Sequence, residues 1–148
     1  MAVGQRRRAR IAALQSLYEG DTSSHTPQDA LAYVVAEQNL KQNTADFARD
    51  LVEGVLARRD EIDGIIAAAA PAWPLDQMPA IDRNVLRLAI SEMLGDNGAP
   101  VGAVINEAVE LAKTFGSEQS GSFVNGVLGS IAKQHIDTHA DQPTKGRG

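Results

Sequence analysis

A chain of 148 residues with no cysteine, 43% apolar and carrying a net charge of −5, has the material for one packed domain and none for disulfides or thiolate metal sites. No apolar run of signal-peptide type opens it and none is long enough to cross a bilayer, so neither secretion nor membrane spanning is expected, and a protein of the reducing cytoplasm is. The charge is uneven. The first ten residues hold Arg6, Arg7, Arg8 and Arg10 and no acid, while the remainder holds ten basic and nineteen acidic side chains, a balance of −9. A basic end on an acidic body is the pattern of an arm for a polyanion, with a solvated helix start as the plainer alternative.

In chain order, a first helix is predicted from about Arg6 to Glu19, ended by Gly20. At about 100° per residue, Ile11, Leu14 and Tyr18 share a side, with Leu17 at its edge, while Arg8, Ala12 and Gln15 face away. Arg7 and Arg10 overhang the end of that stripe, and Tyr18 reads as a core-edge tyrosine with its hydroxyl in water. After a polar loop, Thr26, Pro27 and Asp29 mark a capped start for a helix reaching about Lys41. Thr44 opens another, burying Phe47, Leu51, Val55 and Leu56. Asp60 to Ala70 continues helically, its alanine run suggesting close approach of a neighbour. Trp73, between Pro71 and Pro74, reads as a plug over the core at an interhelical corner.

Asp82 is a good N-cap for a helix whose Val85, Leu86, Ala89, Ile90, Met93 and Leu94 form a stripe wide enough for a central position. Asp96, Asn97 and Gly98 make a turn, and Pro100 starts the next helix. Val104 to Phe115 and Phe123 to Ile131 then read as two amphipathic helices around a Gly/Ser turn. Lys113 suits the carboxyl end of the first, and Gly116 is able to take positive φ there. Ser117, Ser120 and Ser122 surround the start of the second, whose N–H groups and positive dipole end suit a phosphate. Phe123, one turn in, can pack inward or offer a face to a base. Asn125, beside Gly126, reads as a mark of close helix contact. Residues 137–148 are polar, rich in breakers and expected to be disordered. With no alternating strand pattern anywhere, the fold class is all-α, about seven helices in a compact bundle.

Chemistry is sparse. There is no phosphate-cradling glycine loop, nucleophile elbow or His-Glu-x-x-His pair. His135 and His139 have helical spacing but no third ligand, so no metal is expected. Glu107, Glu110 and Lys113 read as a surface charge ladder rather than paired catalytic carboxylates. Neither enzymatic activity nor a cofactor is expected.

Three separated motifs, RRRARIAALQSLYEGD, WPLDQMPAIDRNVLRLAISEM, and VINEAVELAKTF followed by FVNGVLGSI, resemble the NusB family of bacterial transcription antitermination factors, in the family's order from Arg6 to about Ile131. The resemblance implies a non-enzymatic fold of two small helical subdomains, here residues 1–136. It implies binding to boxA single-stranded RNA, chiefly of ribosomal RNA leaders, together with the ribosomal protein NusE, within an antitermination complex on RNA polymerase. Carried over position by position, the implied RNA face is Arg6, Arg7, Arg10, Tyr18, Ser117, Glu118, Gln119, Ser120 and Phe123. The NusE contact falls around the central helix, with Asp82 as the single candidate and its N-cap role as the alternative. Gln119 replaces an acid of a relative, which favours RNA, and Ser122 replaces a lysine, which weakens it. Some members pair into homodimers that cover the RNA face. Two other readings compete. The same module precedes a ribosomal RNA methyltransferase whose catalytic domain needs the cysteines this chain lacks. A plain protein-binding scaffold would leave the arginines as a solvated end.

Overall fold

The computed structural model describes residues 4–95 and 97–137. Among them the backbone forms α1 (Gln5–Thr22), α2 (Pro27–Glu37), α3 (Gln42–Ala57), α4 (Arg59–Ala69), α5 (Ala80–Leu94), α6 (Val101–Phe115) and α7 (Ser120–Ile131), with a 3-10 turn at Leu75–Gln77, a π-helical turn at Ala132–Asp137 and no strand. The all-α expectation of about seven helices is met. Residues 138–148, and with them the tail and His139, lie outside the described residues, as does the His135 side chain.

Local chemistry marks the start of α2. Thr26 Oγ1 accepts the Asp29 N–H at 3.1 Å, with Pro27 at the first helical position. Gly20 does not end α1, which continues to Thr22. A Cβ there would lie 2.4 Å from Pro27 Cγ, so the glycine makes room for the start of α2. That helix stops at Glu37, short of Lys41, and Asn39 turns the chain with φ 51°, a left-handed conformation that asparagine tolerates. The next begins at Gln42, ahead of Thr44, whose buried hydroxyl bonds Gln5 Oε1 and ties α3 to the start of α1.

α1 departs from its helical wheel. Ala9, Ala12, Ala13, Leu14, Ser16 and Leu17 are all buried, so Ala12 does not face away. Small side chains let α2, α3 and α5 close around the helix. α5 is buried from Asn84 through Glu92, and its breadth of burial is that of the central helix expected. The two run antiparallel, since Arg10 pairs with Glu92 at one end and Asp21 with Arg83 at the other. Helices α1–α3 pack on one another and α4–α7 likewise, and one apolar core with side chains from all seven runs through both groups.

Expectations about packing are met only in part at the surface. Ala67 and Ala68 are exposed, while Ala69 and Ala70 pack against the core, so only the end of the alanine run meets a neighbour. Asn125 and Gly126 point outward, and a Cβ on Gly126 would meet nothing within 4 Å. Trp73 is 36% exposed and packs on the half-buried Phe123 at the proline-rich corner, so it covers the rim of the core without being sealed into it. No helix among the described residues is long and apolar enough to cross a membrane.

Candidate nucleic-acid interface

Because α5 runs antiparallel to α1, and the loop after α6 returns to the start of α5 through Ser120 and Asp82, α1 and α6 run in the same direction across α5. Between them lies a narrow crevice floored by Val85, Leu88 and Ala108 and flanked by Arg10, Glu92 and Glu107. Arg7 bridges its upper edge: Nε and Nη2 donate to Glu107 Oε1 and Oε2 at 3.0 and 2.5 Å. The Arg7 bond holds the Glu107 carboxyl below the usual carboxylate range against the opposing effect of burial, and raises the Arg7 guanidinium in turn. Tyr18, eleven residues on and about three turns later, returns to the side of Arg7 and is exposed.

The arginines divide by environment. Arg10, only 7% exposed, is not a surface cation; its Nε and Nη2 each donate to Glu92 at 2.8 Å, and Asn97 Nδ2 donates to the same carboxylate at 2.8 Å. The Glu92 bond raises the Arg10 guanidinium despite burial. Arg6 is exposed and lies over the Phe47 ring, 4.8 Å from its centroid, with Arg10 at 5.7 Å from the same ring; cation–π attraction thus gathers charge at this end. Arg8 is exposed and enters no ion pair or side-chain hydrogen bond among the described residues. The wheel turned it away from the core, and that direction is toward solvent.

At the other end, the loop between α6 and α7 is closed by side chains. Gly116 has φ −101°, not the positive φ expected. It is glycine because a Cβ would lie 2.4 Å from Ser120 Oγ and 2.7 Å from Ala112 O. Ser120 Oγ accepts the Ser117 N–H at 2.9 Å and donates to Asp82 Oδ1 at 2.7 Å. Both side chains are buried, Ser120 at 1% and Asp82 at 2% exposure, so neither stands on a face a ligand can touch. Asp82 is not the N-cap either: Pro79 holds that position and Asp82 lies inside the first turn of α5. Its carboxylate supplies, from within the protein, the negative charge attracted by the start of α7.

Ser117, Glu118 and Gln119 are exposed. Phe123 is half-buried, with Trp73 edge-on at a centroid distance of 4.8 Å. Lys113 lays its stem over Gly121, where a Cβ would sit 2.9 Å from Lys113 Cγ, and its Nζ lies 3.7 Å from Glu110 Oε2. Arg8 was legible in the arginine run itself, whereas the placement of Lys113 depends on packing alone.

A second polar cluster holds the frame. Arg83 Nε and Asn84 Nδ2 donate to Asp21 Oδ2 at 2.8 and 2.9 Å, and Arg87 grips Asp63 through Nε and Nη2 at 2.8 and 3.1 Å. Burial pushes the Asp21 carboxyl up, but the bonds from Asn84 and Arg83 and the charges of Arg83 and Arg87 outweigh it and hold the group below its ordinary value. These contacts join α1, α4 and α5.

Helices around a shared core, cations at the head of α1 and an aromatic pair where α6 passes into α7 describe a helical binding protein. The NusB family profile matches residues 7–133, and the chain belongs to the NusB family. It is 47% identical over 134 residues to the transcription antitermination protein NusB of Chloroflexus aggregans, with 89% of each chain covered. It is also similar to the structure of T. maritima NusB, with a TM-score of 0.83 at 34% identity, covering 91% of this chain and 94% of that one. A crystal structure of the antitermination factors NusB and NusE in complex with double-stranded RNA matches with a TM-score of 0.81 at 32% identity, over 88% and 98% of the two chains. The resemblance carried by the three motifs is met, and with it the expectation of a transcription factor rather than an enzyme.

Proposed function

We propose that this protein is a transcription antitermination factor that binds boxA-type single-stranded RNA together with NusE and joins an RNA polymerase complex on ribosomal RNA operons. One observation carries the reading. The Arg7–Glu107 bridge spans from α1 to α6, Tyr18 lies on the Arg7 side of α1, and α6 leads into the exposed loop at Ser117, which supports a face along these two helices.

Arg8, and Arg6 held over Phe47 with a 3.5 Å bond to Asn97 O, are the exposed cations without a carboxylate partner among the described residues, and Arg7 joins them at phosphates on leaving Glu107. Tyr18 and Phe123 offer rings to unpaired bases, and Ser117, Glu118 and Gln119 offer polar edges. Arg10 and Ser120 serve the face from below, Arg10 by fixing α1 on α5 and Ser120 by closing the loop. The acidic body, at −9 outside the first ten residues, suits a basic ribosomal protein. Asp82, buried against Ser120, contributes to that partner's site by keeping α5 and α7 in register.

The test is binding of boxA-type RNA with and without NusE, by the wild type and by an Arg6→Ala/Arg8→Ala variant, neither of whose positions is buried. Tighter binding with NusE, weakened in the variant, is the expected result. Binding unaffected by the variant would favour the protein-only scaffold.

A further inference from the structure

We infer that Trp73 belongs to the RNA face, forming with Phe123 a corner that receives one unpaired base. The inference rests on the RNA-binding reading above and adds to it a stacking residue.

Trp73 is the only tryptophan in the chain, and large aromatic rings in a protein without a partner are mostly buried. This one stands over the surface, with its ring plane at 68° to that of Phe123. In such an edge-to-face pair the edge of one ring rests on a face of the other, and the remaining faces are free of the aromatic partner. A base entering the corner stacks on one ring and meets the edge of the other, an arrangement tolerant of base identity. Of the exposed residues near the pair in the chain, Asp76, Gln77, Gln119 and Ser122 are polar and Pro71, Ala72, Pro74 and Pro79 are apolar. A base, with an apolar face to stack and polar edges to bond, suits such mixed surroundings.

The backbone that carries the ring is also held in place. The Trp73 backbone N–H donates to Ala70 O at 3.2 Å, and Arg83 Nη1 donates to Leu75 O and Met78 O, each at 3.0 Å. Met78 is buried, and Arg83 is itself paired with Asp21 of α1. Prolines at 71, 74 and 79 fix φ along the corner. Stacking on a platform already rigid loses little conformational freedom.

A sole tryptophan makes the test direct. Binding of a short boxA-type RNA to the full chain is followed twice, by anisotropy of labelled RNA and by Trp73 emission with unlabelled RNA. The expected result is saturable quenching with the same midpoint as the anisotropy isotherm. Trp73→Leu, which keeps apolar bulk but has no ring face, should weaken binding about tenfold, while Trp73→Phe should retain most of it, with both variants confirmed folded by thermal melting. Binding by anisotropy with Trp73 emission unchanged and Trp73→Leu equal to wild type would overturn this inference and leave the RNA reading standing. Emission that responds to NusE alone would assign the ring to a protein contact and overturn it as well. No RNA bound by the wild type would overturn both.

Discussion

The hydroxyl of Ser120 donates to the buried carboxylate of Asp82 at 2.7 Å, and this contact fastens the start of α7 to the first turn of α5. Ser120→Ala removes that donor and also the acceptor of the Ser117 N–H. A buried acceptor left short of its partner costs about 1–3 kcal/mol, so the urea midpoint should fall with an unchanged m value. RNA affinity should fall with it, through a loosened loop, while the salt dependence stays as in wild type. Equal midpoints for the two proteins would mean that the loop is held by something else.

Arg10 and Glu92 form the other buried pair, and here folding and binding are easily confused. Removing one partner of a buried pair costs about 3–5 kcal/mol, a large part of the roughly 5–15 kcal/mol that holds a domain folded. Arg10→Ala should therefore lower the melting temperature sharply and lose RNA binding for that reason. Arg8→Ala, at an exposed position, should melt within about 0.5 kcal/mol of wild type yet bind RNA more weakly. Melting curves beside binding isotherms separate the two; similar melting of both variants would contradict the buried role of Arg10.

What the sequence made legible was mostly local. Thr26, Pro27 and Asp29 announce a helix start because cap, proline and acid act within one turn, and the wide stripe of α5 announces burial because the period is its own. Gly20 and Gly116 misled because both are glycine for lack of space, against Pro27 and against Ser120, and a neighbour's position is a tertiary fact. Ala12 misled for a related reason: the open stripe of α1 runs through Arg8, Ile11, Gln15 and Tyr18, and the alanines on the other side are buried because neighbouring helices close on them. Of the site, the arginine run was readable as charge, but which arginine is spent inside the protein was not, since Glu92 and Glu107 are 82 and 100 residues away from their partners. Asp82 looked like a cap because its position was right to within a turn; only the fold shows that it answers Ser120.

Glu107 competes with RNA for Arg7. The Arg7 side chain is 47% exposed, and exposed pairs are worth about 0.2–1 kcal/mol, so a phosphate can displace the carboxylate at modest cost. Glu107→Gln should raise RNA affinity by up to about fivefold by weakening that competition and removing a negative charge from the face. In the wild type, three or four phosphate contacts should give a log–log salt slope of about −2 to −3. A flat salt response would remove the arginines from the mechanism, and unchanged affinity in Glu107→Gln would remove Arg7.

Acid should unlock the frame at Asp21. Its carboxyl is held below the ordinary value in the folded protein, as is that of Glu107, so between the folded and unfolded values the unfolded chain binds more protons and stability rises with pH. The contribution is complete above the unfolded values, about 3.9 for Asp and 4.3 for Glu, and is lost as pH falls through the lowered folded ones. Urea midpoints should accordingly hold nearly level from about pH 7 to 5 and drop below about pH 4. Asp21→Asn should be less stable at neutral pH, since Arg83 and Arg87 lose their shared counter-charge, and its acid decline should be shallower, so that the two curves converge at low pH. Parallel curves through the acid limb would show that the Arg83 and Arg87 contacts do not depend on the charge of Asp21, and that the junction of α1, α4 and α5 is held by packing instead.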